Sequence, residues 1–534
     1  MGCGTSVPDK QAAADMLAFM KSNVRPKYSE KLIILSIKDQ NSPGKMSISG
    51  DTTPELEDQI TALFLADEKN KKVLKENDKY DVMYDVTWRN TCMTTGHSTF
   101  SLQKSYFPRG KLFVSLMDLM AKNGWALAGA PNFGGVESRD DKGNVTSCVD
   151  WPVFVFYEDK TPEKYAPGHL LLAVKDSNMP GKLCAAGPIL GTPVVDAVTA
   201  KLQEITPKAK NEKDSYDDDF DVVWRETSIT SGMSMMSFAK SYFPKGKTNH
   251  GLLQTFYEHG WRAVAAPNFG GQGDSWPCVV LRKLAVEAAT PEILFASIKD
   301  SNVPGKLCLS GPSANRVAES IKQRLSQVGG NADVKLEKDS YDDDHDEVVR
   351  NINITTGMAA FSLKLPYFPR CDSMLAYLEG AAAEGFTIAA CPNFGGMVDS
   401  WPTFIFEQNP SPGPVAFLAV KDDNIPGKVN MGGGGMKDDP TLEKDMLDVL
   451  VSLGCPSVKQ APDDYDKTFD LCFKHTVVTS GNKVFTWAKP YYPHGFVVEA
   501  ILRVLLGHGW MVTGGPNFGN DGLQWPGITL TKVA

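Results

Sequence analysis

Pro131-Asn132-Phe133-Gly134 returns as Pro267-Asn268-Phe269-Gly270, Pro392-Asn393-Phe394-Gly395 and Pro516-Asn517-Phe518-Gly519. The four asparagines are 136, 125 and 124 residues apart, so the chain reads as one module repeated four times. A Trp-Pro pair follows each copy, at Trp151, Trp276, Trp401 and Trp525, and an aromatic-Pro element precedes it, Tyr-Phe-Pro three times and Tyr-Tyr-Pro once. Working outward, the modules span 31–160, 165–285, 290–408 and 414–534, behind an N-terminal segment of 1–30. The first interval is the longest because 136–149, rich in Gly, Asp, Arg and Ser, is inserted before Trp151, and a polar insertion of this kind predicts an exposed loop. The connections at 162–167 and 410–414 are short, which predicts modules packed in contact or closed into a ring.

The second copy shows the module's pattern best. His169 to Lys175 predicts a strand, Asp176-Ser177-Asn178-Met179-Pro180-Gly181 a type II turn, and the sequence from Lys182 a return strand. Val194 to Ile205 carries Val195, Val198 and Leu202 at helical spacing. Val222 to Thr230 and a partner running through Phe238 and Tyr242 predict two more strands, stopped by Pro244 and Gly246. Leu252 to His259 predicts a second helix ended by Gly260. Trp261 to Ala266 and Pro277 to Lys283 then flank the Pro-Asn-Phe-Gly element, expected to be a turn. The result is an α+β fold: four tandem repeats, each an antiparallel or mixed sheet with two helices in the order β-β-α-β-β-α-β-β.

Trp125, Trp261 and Trp510 share a helix-strand junction where the third module has Phe386, and Trp88 and Trp224 share a strand position held by Val349 and Phe473 elsewhere. Positions that accept such exchanges are packing sites. The Trp of Trp-Pro is never exchanged, which marks it for a flat surface or its indole N–H.

Three polar elements recur. Lys-Asp-x-Asn-x-Pro-Gly-Lys ends at Lys45, Lys182, Lys306 and Lys428, where two lysines flanking a loop would cradle an anionic group, unless Asp and Asn only shape the turn. Tyr-Asp-x-x-x-Asp, seen at Asp217 and Asp221, lacks the glycine and closing glutamate of an EF-hand loop and predicts a solvated linker. Asn132, Asn268, Asn393 and Asn517 offer amides beside Trp151, Trp276, Trp401 and Trp525, as ligand contacts or as turn caps. These asparagines, tryptophans and second lysines are the candidate ligand-binding set.

Met1-Gly2-Cys3-Gly4-Thr5-Ser6 satisfies the N-myristoylation pattern at Gly2, with Cys3 placed for palmitoylation. It resembles dually acylated proteins of the inner membrane face. The resemblance covers six residues and implies an address, the cytoplasmic face of a membrane, rather than a fold. Residues 9–22 predict a short amphipathic helix, lying in the lipid interface or packed on the first module.

The net charge of −9 and the lack of a Lys/Arg tract argue against nucleic acid. Ten cysteines without a C-x-x-C pair read as reduced thiols. No nucleophile elbow, P-loop or H-E-x-x-H occurs, so no catalytic residue, metal or cofactor is assigned. An enzyme would need a cleft uniting single-copy groups such as His97, Cys92 and Asp118. The expected function is therefore a non-enzymatic, lipid-anchored repeat scaffold that binds a protein or glycan partner multivalently. The alternative is a small-ligand or glycan-binding protein with up to four equivalent pockets.

Overall fold

The computed structural model describes residues 10–28, 30–38, 44–77, 82–95, 106–139, 145–175, 181–213, 215, 217–231, 242–271, 274–299, 305–329, 331, 333–356, 368–395, 400–421, 427–455, 457–461, 467–479, 492–519 and 524–533. Each module builds a seven-stranded antiparallel sheet with helices, an α+β repeat. The first two sheets touch through one pairing, Gly271 with Val149.

In the second module the order is Tyr165–Lys175, Gly181–Ala186, helix Pro193–Ile205, Lys210–Asn211, Val222–Thr227, helix Gly246–Glu258, Trp261–Ala265, Asn268–Gly271 and Asp274–Leu284. The predicted elements that fall on described residues are present, with three corrections here and a fourth in the first module. Pro-Asn-Phe-Gly opens a strand rather than a turn, because Asn268 pairs with Pro277 and Phe269 with Trp276. The second helix starts at Gly246, well before Leu252. Its first turn is held from outside, by the Lys247 N–H donating to Asp344 O of the next module at 2.8 Å. A two-residue strand, Lys210–Asn211, adds an edge that periodicity is too short to reveal. In the first module, strands Asn132–Arg139 and Val145–Glu158 run into the insertion expected as a loop, so its flanks extend a hairpin. The Pro-Gly turn of 176–180 and the strand through Phe238 lie outside the described residues. Gly260 follows the second helix at φ +79°, and Gly124, Gly385 and Gly509 repeat that left-handed stop, as expected of helix ends.

The sheets are covered on both faces here, so Ile293–Lys299 is buried at every position rather than at alternate ones. Each second helix packs on its own sheet and on the first strand of the next module. Gly110–Lys122 meets Tyr165–Lys175, Gly246–Glu258 meets Ile293–Lys299, and Cys371–Ala383 meets Val415–Lys421. Gly495–Gly507 returns to Leu32–Lys38 of the first module. The four modules therefore form a closed ring, and each hydrophobic core is shared by two successive modules.

The strands Trp125–Gly129, Trp261–Ala265, Phe386–Ala390 and Trp510–Gly514 pack against one another around the axis. Their last residues, Gly129, Ala265, Ala390 and Gly514, are small because the axis is crowded. A Cβ on Gly514 would stand 2.5 Å from Cys391 Sγ, and one on Gly515 would stand 2.3 Å from the Pro131 backbone.

The N-terminal helix, Lys10–Phe19, continues as a π-helical turn over Met20–Val24. It packs at the closing seam rather than on the first module alone: Met20, Val24 and Tyr28 enter a core that holds Leu442, Met446 and Phe496 of the fourth module and Leu32, Ile34 and Tyr84 of the first. Arg25 then bonds Glu499 at 2.8 Å and Asp85 at 2.5 Å, clamping the fourth module to the first. Arg503 joins the same buried cluster through Glu499 and Asp51.

Candidate functional sites at the module seams and the ring axis

Each seam between modules carries the same three side chains. The aromatic of the Tyr-Phe-Pro or Tyr-Tyr-Pro element is inserted between the first lysine and the tryptophan of the following module. Lys175 Nζ lies 4.4 Å from the Phe107 ring centroid, Lys299 4.4 Å from Phe243, Lys421 4.3 Å from Phe368 and Lys38 4.0 Å from Tyr492. Each ring also meets an indole edge-on: Phe107 with Trp276, Phe243 with Trp401, Phe368 with Trp525 and Tyr492 with Trp151, at 5.4 to 5.6 Å. This geometry joins the ring quadrupole to a cation and to an indole at once. The four Trp-Pro tryptophans are at most 1 % exposed, buried by their neighbours' aromatics. Burial pushes the Lys299 ammonium below the usual lysine range, since desolvation outweighs nearby Cys308 and Asp342.

The second lysines, named above as anion ligands, stand across the hairpin from the first, Lys175 opposite Lys182 and Lys299 opposite Lys306. Lys38 stands opposite Lys45 and Lys421 opposite Lys428 in the same way, and on their other side Lys45 pairs with Arg89 and Lys428 with Lys474. Lys182 Nζ binds Asp217 at 2.9 Å, and Lys306 Nζ binds Asp342 and Asp339, each at 2.9 Å. Asp217 and Asp342 are 1 % and 0 % exposed, so in the second and third modules the Tyr-Asp-x-x-x-Asp element is not a solvated linker. Its second aspartate also has a fixed task. Asp221 accepts the Gly187 N–H at 2.8 Å, and Asp85, Asp346 and Asp470 accept those of Gly50, Gly311 and Gly433. These glycines have φ between +101° and +141°, where a side chain is excluded. The motif is short-range in sequence but serves the end of a distant strand, which spacing alone does not reveal.

Asparagine and tryptophan, expected to share a pocket, are separated. Successive strand residues face opposite sides, so Trp276 enters the seam while Asn268 faces the axis. There Asn132 Nδ2 donates to Asp150 Oδ1 at 2.7 Å and to Gln524 Oε1 at 3.1 Å, the latter across the closing seam. Asn268 Nδ2 donates to Ser275 Oγ at 2.7 Å and to Asp150 Oδ2 at 3.2 Å, Asn393 Nδ2 to Ser400 Oγ at 2.9 Å, and Asn517 Nδ2 to Gln524 Oε1 at 2.6 Å. Gln524 Nε2 completes the network on Asp150 Oδ1 at 2.7 Å. Burial pushes the Asp150 carboxyl up to about 6, against the pull of the Gln524 and Asn132 amides. Sequence reasoning missed Asp150, Ser275, Ser400 and Gln524, although the residue before every Trp-Pro is polar.

An apolar cavity opens between the second and third modules, lined by Leu172, Leu183, Ile229, Phe256, Phe295 and Phe394. Asp118 binds His169 across a seam, with its Oδ1 2.7 Å from Nδ1, and Cys92 Sγ lies 3.6 Å from Thr94 O. His97, Gly2 and Cys3 lie outside the described residues. Among those described, no helix is long and apolar enough to cross a membrane. Comparison with protein families, with characterised proteins and with solved structures finds no match, so the geometry carries the functional argument.

Proposed function

We propose that this chain is a non-enzymatic, lipid-anchored scaffold that holds a rigid four-module ring at the cytoplasmic face of a membrane and engages an assembled protein or glycan partner multivalently. The observation that carries the reading is the N-terminal helix bolted across the ring's closing seam by Met20, Val24 and Arg25. Gly2 and Cys3 precede Lys10 by so few residues that an acyl group there would tether the ring within about 28 Å of the bilayer. One myristoyl chain holds a protein only reversibly, so the Cys3 thiol supplies the second anchor. Repetition of one surface four times on a rigid frame converts weak contacts into avidity.

The test is membrane partitioning in cells. Gly2→Ala is expected to move the protein to the soluble fraction, and Cys3→Ser to leave it weakly and reversibly bound. Unchanged partitioning of Gly2→Ala with the ring still folded sinks the anchor. The small-ligand reading is favoured at one place, the apolar cavity between the second and third modules, where a single apolar ligand per chain would sit.

A further inference from the structure

We propose that the ring axis binds one hard cation, an alkali or alkaline-earth ion, through the Oδ1 atoms of Asn132, Asn268, Asn393 and Asn517, with Asp150 supplying the counter-charge. The four asparagines are 2 %, 2 %, 4 % and 0 % exposed, and among the described residues none of their Oδ1 atoms receives a hydrogen bond. Buried amide oxygens are almost always bonded. The same orphan at one position in all four modules is a feature of the ring.

Turning the amides over does not relieve three of them. Asn132, Asn268 and Asn517 direct Nδ2 at the Asp150 carboxylate or at Gln524 Oε1, and Gln524 is itself oriented by donating Nε2 to Asp150. These groups accept only, so each Oδ1 must face elsewhere. Three of the four asparagines are joined by hydrogen bonds. Asn268, Asp150, Asn132, Gln524 and Asn517 form one chain of bonds through the second, first and fourth modules. Asn393 holds the same register in the third, opposite Pro402 as Asn268 is opposite Pro277.

Waters would satisfy the oxygens but leave a second problem. Asp150 is a buried carboxylate bonded only by amides, and among the described residues no lysine or arginine pairs with it. Charges are rarely buried unless paired or metal-bound. A cation answers both deficits at once. Amide carbonyls with a single carboxylate are hard oxygen donors, the kind that alkali and alkaline-earth ions take and soft metals do not.

The experiment uses the full chain, exchanged into a tetramethylammonium chloride buffer with chelator. Thermal unfolding is followed while NaCl, KCl, CaCl2 or MgCl2 replaces tetramethylammonium at constant ionic strength. One of the four is expected to raise Tm saturably, with one ion per chain by calorimetry, and Asp150→Asn to weaken that ion about tenfold or more. Asn517→Ser, which keeps a small polar group, should weaken it independently if Asp150→Asn folds poorly. Identical curves in all salts and in tetramethylammonium would overturn the proposal in favour of bound water. So would a stabilising ion whose affinity is the same in both variants.

Discussion

Phe107 stands between a charge and an indole, 4.4 Å from Lys175 Nζ and edge-on to Trp276, and it is 1 % exposed. Phe107→Ala removes the ring, opens a cavity and takes away the aromatic face against which Lys175 Nζ lies. We expect a loss of about 3–5 kcal/mol, read as a lower urea midpoint at unchanged slope. Asp150 sets a pH dependence of defined sign. Its carboxyl titrates at about 6 folded against 3.8 unfolded, so the folded state holds the extra proton between these values. Its contribution is present in full below pH 3.8 and is lost as pH rises through 6, a difference of about 3 kcal/mol. In cation-depleted buffer, Asp150→Asn should therefore gain on the native chain as pH rises from 4 to 6, and parallel profiles would refute this assignment. Of the candidate ligands, the tryptophans were legible as invariant but not as seam residues. Their ring partners lie in the preceding module, and no local spacing encodes that contact.

At the scale of elements, the N-terminal helix decides how the ring is locked. Arg25 reaches Asp85 of the first module and Glu499 of the fourth, and Ser49 adds a 2.7 Å bond to Glu499. Removing one partner of a buried pair leaves an uncompensated charge, so Arg25→Met should cost about 3–5 kcal/mol. Equilibrium unfolding of the single and double variants with Glu499→Gln checks it. A double variant no better than the sum of the singles would show that the two groups are uncoupled. Strand and helix identities in Tyr165–Leu284 were readable because Val195, Val198 and Leu202 keep helical spacing and Gly260 marks a stop. The start at Gly246 and the strand nature of Asn268–Gly271 were not, since a neighbouring module's carbonyl and a paired Trp-Pro strand determine them. The seat of the helix Lys10–Phe19 on the fourth module is a contact over more than four hundred residues of sequence, beyond the reach of any periodicity.

For the whole molecule, motifs recurring in all four modules revealed the repeat and its α+β class from sequence alone, while ring closure depended on a signal that was present but unread. The residue two places before each Pro-Asn is small, Gly129, Ala265, Ala390 or Gly514, and smallness there admits the inward strands to a common axis. Closure makes the last module the neighbour of the first, which turns four sheets that would each expose one apolar face into four shared cores. The direct test of closure is a disulfide trap across the first and fourth modules. A Cβ at Gly129 stands 2.6 Å from Val512 Cγ1, so Gly129→Cys with Val512→Cys places two thiols within bonding reach. Under oxidising conditions the ring predicts an intramolecular cross-link between these positions in monomeric, folded protein, found by peptide mass spectrometry. A folded monomer in which the two thiols stay free would contradict the closed ring.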